Sequence, residues 1–337
     1  MTALIHNISY DRPVPKDRPL RIVFMGTPEF AVPTLQALLD GPHQIVAVYT
    51  QPDRPQGRGK KLTPPPVKVL AEQAGIPIFQ PEKFATQDAY ERFCSDAPDL
   101  AVVVAYGKIL RARFLAVPPL GCINCHASLL PYYRGAAPIQ WAVAHGATQT
   151  GITTMLLDEG MDTGPMLRWN TLAIAPEETG GSVHDRLSQL SATTLTQTLE
   201  DIVEGRLTLT PQDHSRATHA PMIHKDDLWI NFAQPAPCVS NWVRALDPAP
   251  GARCLDPEGE AWKLFASAAV EIEHSAEPGT LLRIEKEGLW IACSQGAIRV
   301  QEVQKPAKRR MTVQELLSGT HLPEGWRFSN PVSPTTL

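Results

Sequence analysis

The chain has 337 residues, of which 43% are hydrophobic and 20% charged. That length exceeds an ordinary single domain, and the composition is that of a globular chain with a sizeable core, which excludes a disordered or fibrous protein and points to two domains. A formal net charge of −4 excludes a generic nucleic-acid binder, so any RNA contact must come from local basic patches.

Residues 1–20, MTALIHNISYDRPVPKDRPL, read as a polar extension in which charges and prolines interrupt every apolar stretch. They lack the pattern of an export signal, and nowhere do about eighteen apolar residues run together. A cytoplasmic protein with no membrane partner is expected. RIVFMG then reads as a short apolar strand and TPEFAVPTLQALLDG as a helix with apolar residues near helical spacing. The turn between them keeps only Gly26 of the G-x-G-x-x-G fingerprint, with Pro28 and Ala31 where other glycines would stand. A plain strand-to-helix turn is expected there, not a dinucleotide site. QIVAVYTQ is the next strand, VKVLAEQAGIPIFQP a helix followed by a strand, and DLAVVVAYG the near-continuous apolar run of a buried parallel strand. GCINCHASLLP and GITTMLLDEGMDTGPML follow as two more, the second with a loop behind it. Strands alternating with helices predict an α/β domain, Rossmann-like and doubly wound with a mostly parallel sheet, over residues 21–207.

Residues 208–225 are polar, contain Pro211 and Pro221, and read as a linker. Beyond them comes one helical piece, CVSNWVRALDP. WKLFASAAVEI, GTLLRIEKEGLWIACS and AIRVQEVQ then alternate between Gly and Pro turns, which predicts a small all-β module over residues 226–330.

Residues 122–126, Cys-Ile-Asn-Cys-His, have the C-x-x-C-H spacing of a c-type haem attachment site, and the first four have that of a thiol redox pair. Covalent haem calls for export, and no second C-x-x-C completes a zinc site. The six cysteines (Cys94, Cys122, Cys125, Cys238, Cys254 and Cys293) are therefore read as buried or neutral thiols. As a strand, the stretch puts Asn124 and His126 on one face together with Cys122, while Ile123 and Cys125 point the other way. Ligands of open α/β sheets bind at the carboxyl ends of strands. There an amide can donate to developing negative charge and an imidazole can carry a proton near neutrality. The glycine-bounded loop at the carboxyl end of the next strand, LLDEGMDTGP, offers Asp158, Glu159 or Asp162 as a third group. No cluster of metal ligands is evident, and no metal is expected.

INCHASLLPYYRGAAPIQWAV together with DEGMDTGPM resembles the signature of the folate-dependent formyltransferases: Asn-x-His, Ser-Leu-Leu-Pro, Arg-Gly and a downstream Asp-x-Gly. MGTPEFAVPTLQAL, TQPDRPQGRGKKLTPPPVKVLA, VVVAYGKIL and QKPAKRRM resemble the branch that formylates methionyl initiator tRNA, so the likeness runs from about residue 21 to about 320. It is weakest late in the chain, where INFAQPA and ALDPAPGA stand in place of an Asp-Trp pair and a Trp between two prolines. The resemblance implies 10-formyltetrahydrofolate as co-substrate and a catalytic trio of Asn124, His126 and Asp162. Asn124 and a protonated His126 would donate to the formyl oxygen, while Asp162 favours the imidazolium and takes the proton of the attacking amine. It also implies that Ser128, Leu129, Leu130 and Pro131 border the folate pocket, with the pterin against main chain of VVAYGKIL and DEGMD. By the same resemblance the late module is OB-like, a fold whose surface often binds oligonucleotides. Two basic runs are the expected tRNA contacts. One is Arg58, Lys60 and Lys61, after Arg54 on the same loop; the other is Lys305, Lys308, Arg309 and Arg310. DNA is not expected as a partner. A small-amine formyltransferase would need neither run, and an RNA-binding protein on an inactive scaffold would not need the trio.

Overall fold

The computed structural model describes residues 18–56, 61–323 and 325–331. The chain divides into two compact units. One runs to Gly135 and adds Gly151–Leu172 and His184–His219; the other takes Ala136–Thr150, Ala173–Val183 and the chain from Ala220 onward. Residues 136–150 and 173–183, which the sequence reading groups with the catalytic domain, thus cluster with the later part of the chain.

The first unit is built on a seven-stranded sheet: β1 (Arg21–Gly26), β2 (Gln44–Tyr49), β3 (Ile78–Phe79), β4 (Leu100–Val104), β5 (Cys122–His126), β6 (Gln149–Leu156) and β7 (Met166–Ala173). The strand order is β7-β6-β5-β4-β1-β2-β3. β1 pairs in parallel with β2 and β4, β2 with β3, and β4 with β5. The order reverses between β1 and β4, which makes their carboxyl ends the topological switch point of the sheet. Every residue of β4 is buried, as its unbroken Leu-Ala-Val-Val-Val run requires. Behind it, Met25, Tyr49, Phe84, Phe93, Tyr106 and Phe114 pack into one aromatic-rich core.

The turn after β1 has a packing explanation. A side chain at Gly26 would press on Phe24, Ala31 and the Val104 carbonyl at 2.7–3.0 Å, so the glycine serves close approach of strand and helix. Across the switch point, Thr27 Oγ1 donates to the Tyr106 carbonyl and Gln51 Nε2 donates to the carbonyls of Tyr106 and Gly107.

β6 runs antiparallel to β5, with Ile123 opposite Leu156 and His126 opposite Thr153. The loop after β6 therefore leaves beside Cys122, and the Leu157 amide donates to the Cys122 carbonyl. It reaches the other end of β5 by folding back over the sheet.

The second unit carries an antiparallel sheet of β8 (Ala252–Leu255), β9 (Ala261–Val270), β10 (Leu281–Glu285), β11 (Gly288–Ala292), β12 (Ala297–Gln304) and β13 (Met311–Thr312). Its order is β8-β9-β12-β11-β10, with β13 on β12. Fully buried Trp262 anchors its core against Phe328 and Trp326. The helix Ala236–Ala245 packs Trp242 against Trp141, ring centroids 5.6 Å apart, and meets β9 through Ser240 and Ser267.

Candidate active site

Of the five residues of β5, only Asn124 is not fully buried. Cys122 and Cys125 are buried, and burial pushes each thiol's pKa up to about 12, so neither forms a thiolate at neutral pH. Among the described residues no group of three or more His, Cys, Asp or Glu could hold a metal ion. Cys122→Ser and Cys125→Ser are expected to leave kcat within about twofold; Cys122→Ser should also lower the melting temperature, since it puts a hydroxyl in an apolar core at roughly 1–3 kcal/mol, whereas at Cys125 Ser191 offers the hydroxyl a partner. A kcat fallen tenfold or more in a folded variant would return a role to the thiol.

Asn124 is half-buried and His126 is only 6% exposed. His126 Nε2 lies 2.9 Å from the Tyr133 carbonyl oxygen. A carbonyl only accepts, so Nε2 carries hydrogen in both charge states of the ring, and Nδ1 is the nitrogen that gains and loses a proton. Nδ1 faces Asp162, whose Oδ2 is 3.7 Å away, within range of charge–charge attraction and beyond a direct hydrogen bond.

Three acidic residues of the loop were candidates for this place, and geometry selects one. Asp158 is consumed in building the loop: it accepts from Thr163 Oγ1 at 2.7 and 2.9 Å and from the Gly160 amide at 3.0 Å. Glu159 is exposed. Asp162 sits in the left-handed region at φ 54°, and its Oδ2 accepts from the Gly135 amide at 2.8 Å. Asp162 is thus the acidic residue of this loop that stands beside His126, and Asn124 lies two residues before His126 on β5.

The Ser-Leu-Leu-Pro segment leaves β5 as a tightly tied turn. Ser128 Oγ donates to the Tyr132 carbonyl; Thr153 Oγ1 donates to the Ser128 carbonyl and accepts from the Leu130 amide. Leu130 packs with Met155, Met166 and Leu157, and the Leu130–Pro131 bond is cis. Leu129 is half-buried, Pro131 buried. In the VVAYGKIL segment, Ile109 is 86% exposed beside buried Tyr106 and Leu110.

Arg58 and Lys60 lie outside the described residues. Lys61 is exposed on a two-stranded ribbon, Arg54–Gln56 with Lys61–Thr63. In the second unit the four expected cations differ. Arg310 is held by Asp247 at 2.6 Å and by Glu302, above the Phe265 ring. Arg309 pairs with Glu315 at 2.6 Å. Lys305 Nζ stands 5.0 Å from the Trp262 ring centroid, and Lys308 is exposed. A run of basic letters cannot reveal that two of its members are already paired.

Sequence reading missed Arg134 and Gln212. Arg134 is 4% exposed, and burial pushes its pKa below the ordinary value. It donates to Gln212 Oε1 from Nε at 3.0 Å and Nη2 at 2.6 Å. The residues read as a linker are thus partly built into the site: Gln212 is 6% exposed, and Thr218 Oγ1 accepts from the Tyr133 amide.

In this α/β sheet an Asn-x-His at a strand end stands beside an aspartate folded back over it, so hydrogen-bond donors and a carboxylate share one place. Residues 20–199 match the formyl transferase family and residues 222–321 match the formyl transferase C-terminal domain, and the chain belongs to this family. It is 48% identical over 307 residues to a methionyl-tRNA formyltransferase of Desulfotalea psychrophila, covering 91% of this chain and 95% of the relative. It is 46% identical over 309 residues to one of Geobacter sulfurreducens, covering 92% and 96%. Among solved structures, the sugar 3N-formyl transferase WlaRD superposes with a TM-score of 0.62 at 16% identity, over 86% of this chain and 99% of that one. HypX from Aquifex aeolicus in complex with tetrahydrofolic acid gives 0.59 at 17% identity, over 88% and 47%. These likenesses bear on the fold.

Proposed function

We infer that the chain transfers the formyl group of 10-formyltetrahydrofolate to the α-amino group of methionyl initiator tRNA, in the cytoplasm. The observation that carries this reading is the identity of 46–48% to relatives named for that reaction, over more than nine-tenths of this chain. The amine attacks the formyl carbon, a carbon–nitrogen bond forms, and negative charge develops on the formyl oxygen. The bond to the folate nitrogen then breaks, and that nitrogen takes up the proton the amine has lost. Asn124 and His126 project from one face of β5, where amide N–H and Nδ1–H donate to the oxyanion. Asp162, beside Nδ1, stabilises the charged ring and receives the amine proton. An α-amino group has a reference pKa near 8, so it needs little help to become nucleophilic. Ser128, Leu129, Leu130 and Pro131 border the folate, in a pocket whose rim includes Ile109.

Arg58, Lys60 and Lys61, and Lys305, Lys308 and Arg309 on the second unit, contact tRNA phosphates. The pairing of Arg310 alters what is expected of it. Lys305→Ala with Lys308→Ala should raise KM for charged tRNA severalfold, leave kcat unchanged and flatten the salt dependence of binding. Arg310→Ala should instead lower stability by about 3 kcal/mol, because Asp247 is 3% exposed and would lose its partner. Thermal melts set beside steady-state profiles separate the two outcomes.

The decisive assay incubates the protein with 10-formyltetrahydrofolate and charged initiator tRNA and looks for formyl-methionine. Formylation of a small amine such as glycinamide ribonucleotide, with none on charged tRNA, would overturn the reading.

A further inference from the structure

We propose that Gln212 is a positioning residue for the transfer, holding the backbone of Asp162 so that its carboxylate stays beside His126. Gln212 Nε2 donates to the Asp162 carbonyl at 2.9 Å and to the Gly164 carbonyl at 2.7 Å. Its Oε1 accepts the two contacts from Arg134, so both amide hydrogens and both lone pairs of a buried carboxamide are used. Arg134 in turn donates through Nη2 to His214 Nδ1 at 3.0 Å. The short strand that holds Arg134 also supplies the Gly135 amide to Asp162 Oδ2. Asp162 is therefore tied at two points, its side chain to the Gly135 amide and its main chain to Gln212, which Arg134 holds.

The tie has a purpose that packing alone would not require. A non-glycine residue at φ 54° costs roughly 1–3 kcal/mol and persists only where its surroundings over-determine it. The loop leaves the sheet beside Cys122, and its register over His126 depends on contacts made within its own span, on the Gly135 amide and on Gln212. Only an amide satisfies both sides here. Two carbonyl oxygens in front need donors, and a guanidinium behind needs an acceptor.

This proposal rests on the reading of the reaction given above, and Gln212→Glu tests it. Glutamate has the same shape and keeps an acceptor for Arg134, while both donors to the loop are lost; a role in stability alone would leave kcat of the folded variant unchanged. The expected result is a kcat lowered about 10- to 100-fold, as misplacement by about 1 Å can cause, with KM for 10-formyltetrahydrofolate little changed and the melting temperature lowered, because two buried carbonyls lose their donors. In the Asp162→Asn background the same substitution should cost less than twofold, because the two residues act as one unit. Wild-type kcat in Gln212→Glu, or effects that multiply fully in the double variant, would overturn it. The ring nitrogens of His126, followed by ¹⁵N NMR without substrate, should shift in Gln212→Glu toward their positions in Asp162→Asn, and unchanged shifts would also overturn it. That readout needs no turnover, so it judges the tie even if the wild type formylates no tRNA.

Discussion

His126→Ala is expected to lower turnover on charged tRNA by roughly 10²–10⁴, and Asn124→Ala by roughly 10²–10³, with binding of the folate preserved. The two side chains project two residues apart from one face of β5, and the proposed reaction has both donate to the formyl oxygen. Their donors matter most when charge has developed on that oxygen, so their loss appears in kcat. His126 has the larger expected effect because its Nε2 is committed to the Tyr133 carbonyl, leaving Nδ1 to serve both the oxyanion and Asp162. Single-turnover rates beside equilibrium folate titrations separate the steps. If kcat holds while folate affinity collapses, the pair binds co-substrate and does not act on the transition state.

Asp162→Asn is the second large effect, expected at roughly 10²–10³ in kcat by analogy with the orienting aspartate of hydrolytic triads. The variant keeps an oxygen for the Gly135 amide, so the loop should remain in place. What it removes is the negative charge 3.7 Å from Nδ1 and, in the proposed reaction, the acceptor for the amine proton. Asp158→Asn makes a useful contrast. It weakens the contacts to Thr163 and Gly160 that shape the loop, so it should act through stability and only modestly on kcat. Equal kcat losses in the two variants would mean that the loop needs its shape more than it needs the charge of Asp162.

Local sequence determined the elements and the face on which the chemistry stands. Side chains alternate along any strand, so Asn124 and His126 had to project together, and the cysteines' spacing was incidental to that geometry. The apolar run at Leu100–Val104, the single Gly26 of the opening turn and the resemblance carried by Asn-x-His and Asp-x-Gly were equally legible, because each depends on residues close in the chain. The tertiary structure alone decided what depends on distant partners. Asp162 and not Asp158 faces His126 because β6 runs antiparallel and the loop folds back, with Thr163 capturing Asp158. Gln212 meets Asp162 across 50 residues of chain and Arg134 across 78, so a stretch with the composition of a linker became part of the site. Arg310 finds Asp247 across 63 residues, an internal ion pair that a run of basic residues does not announce. In each case the reason is the same: a side chain's chemistry is set by which polar groups burial brings against it, and no periodicity along the chain encodes that.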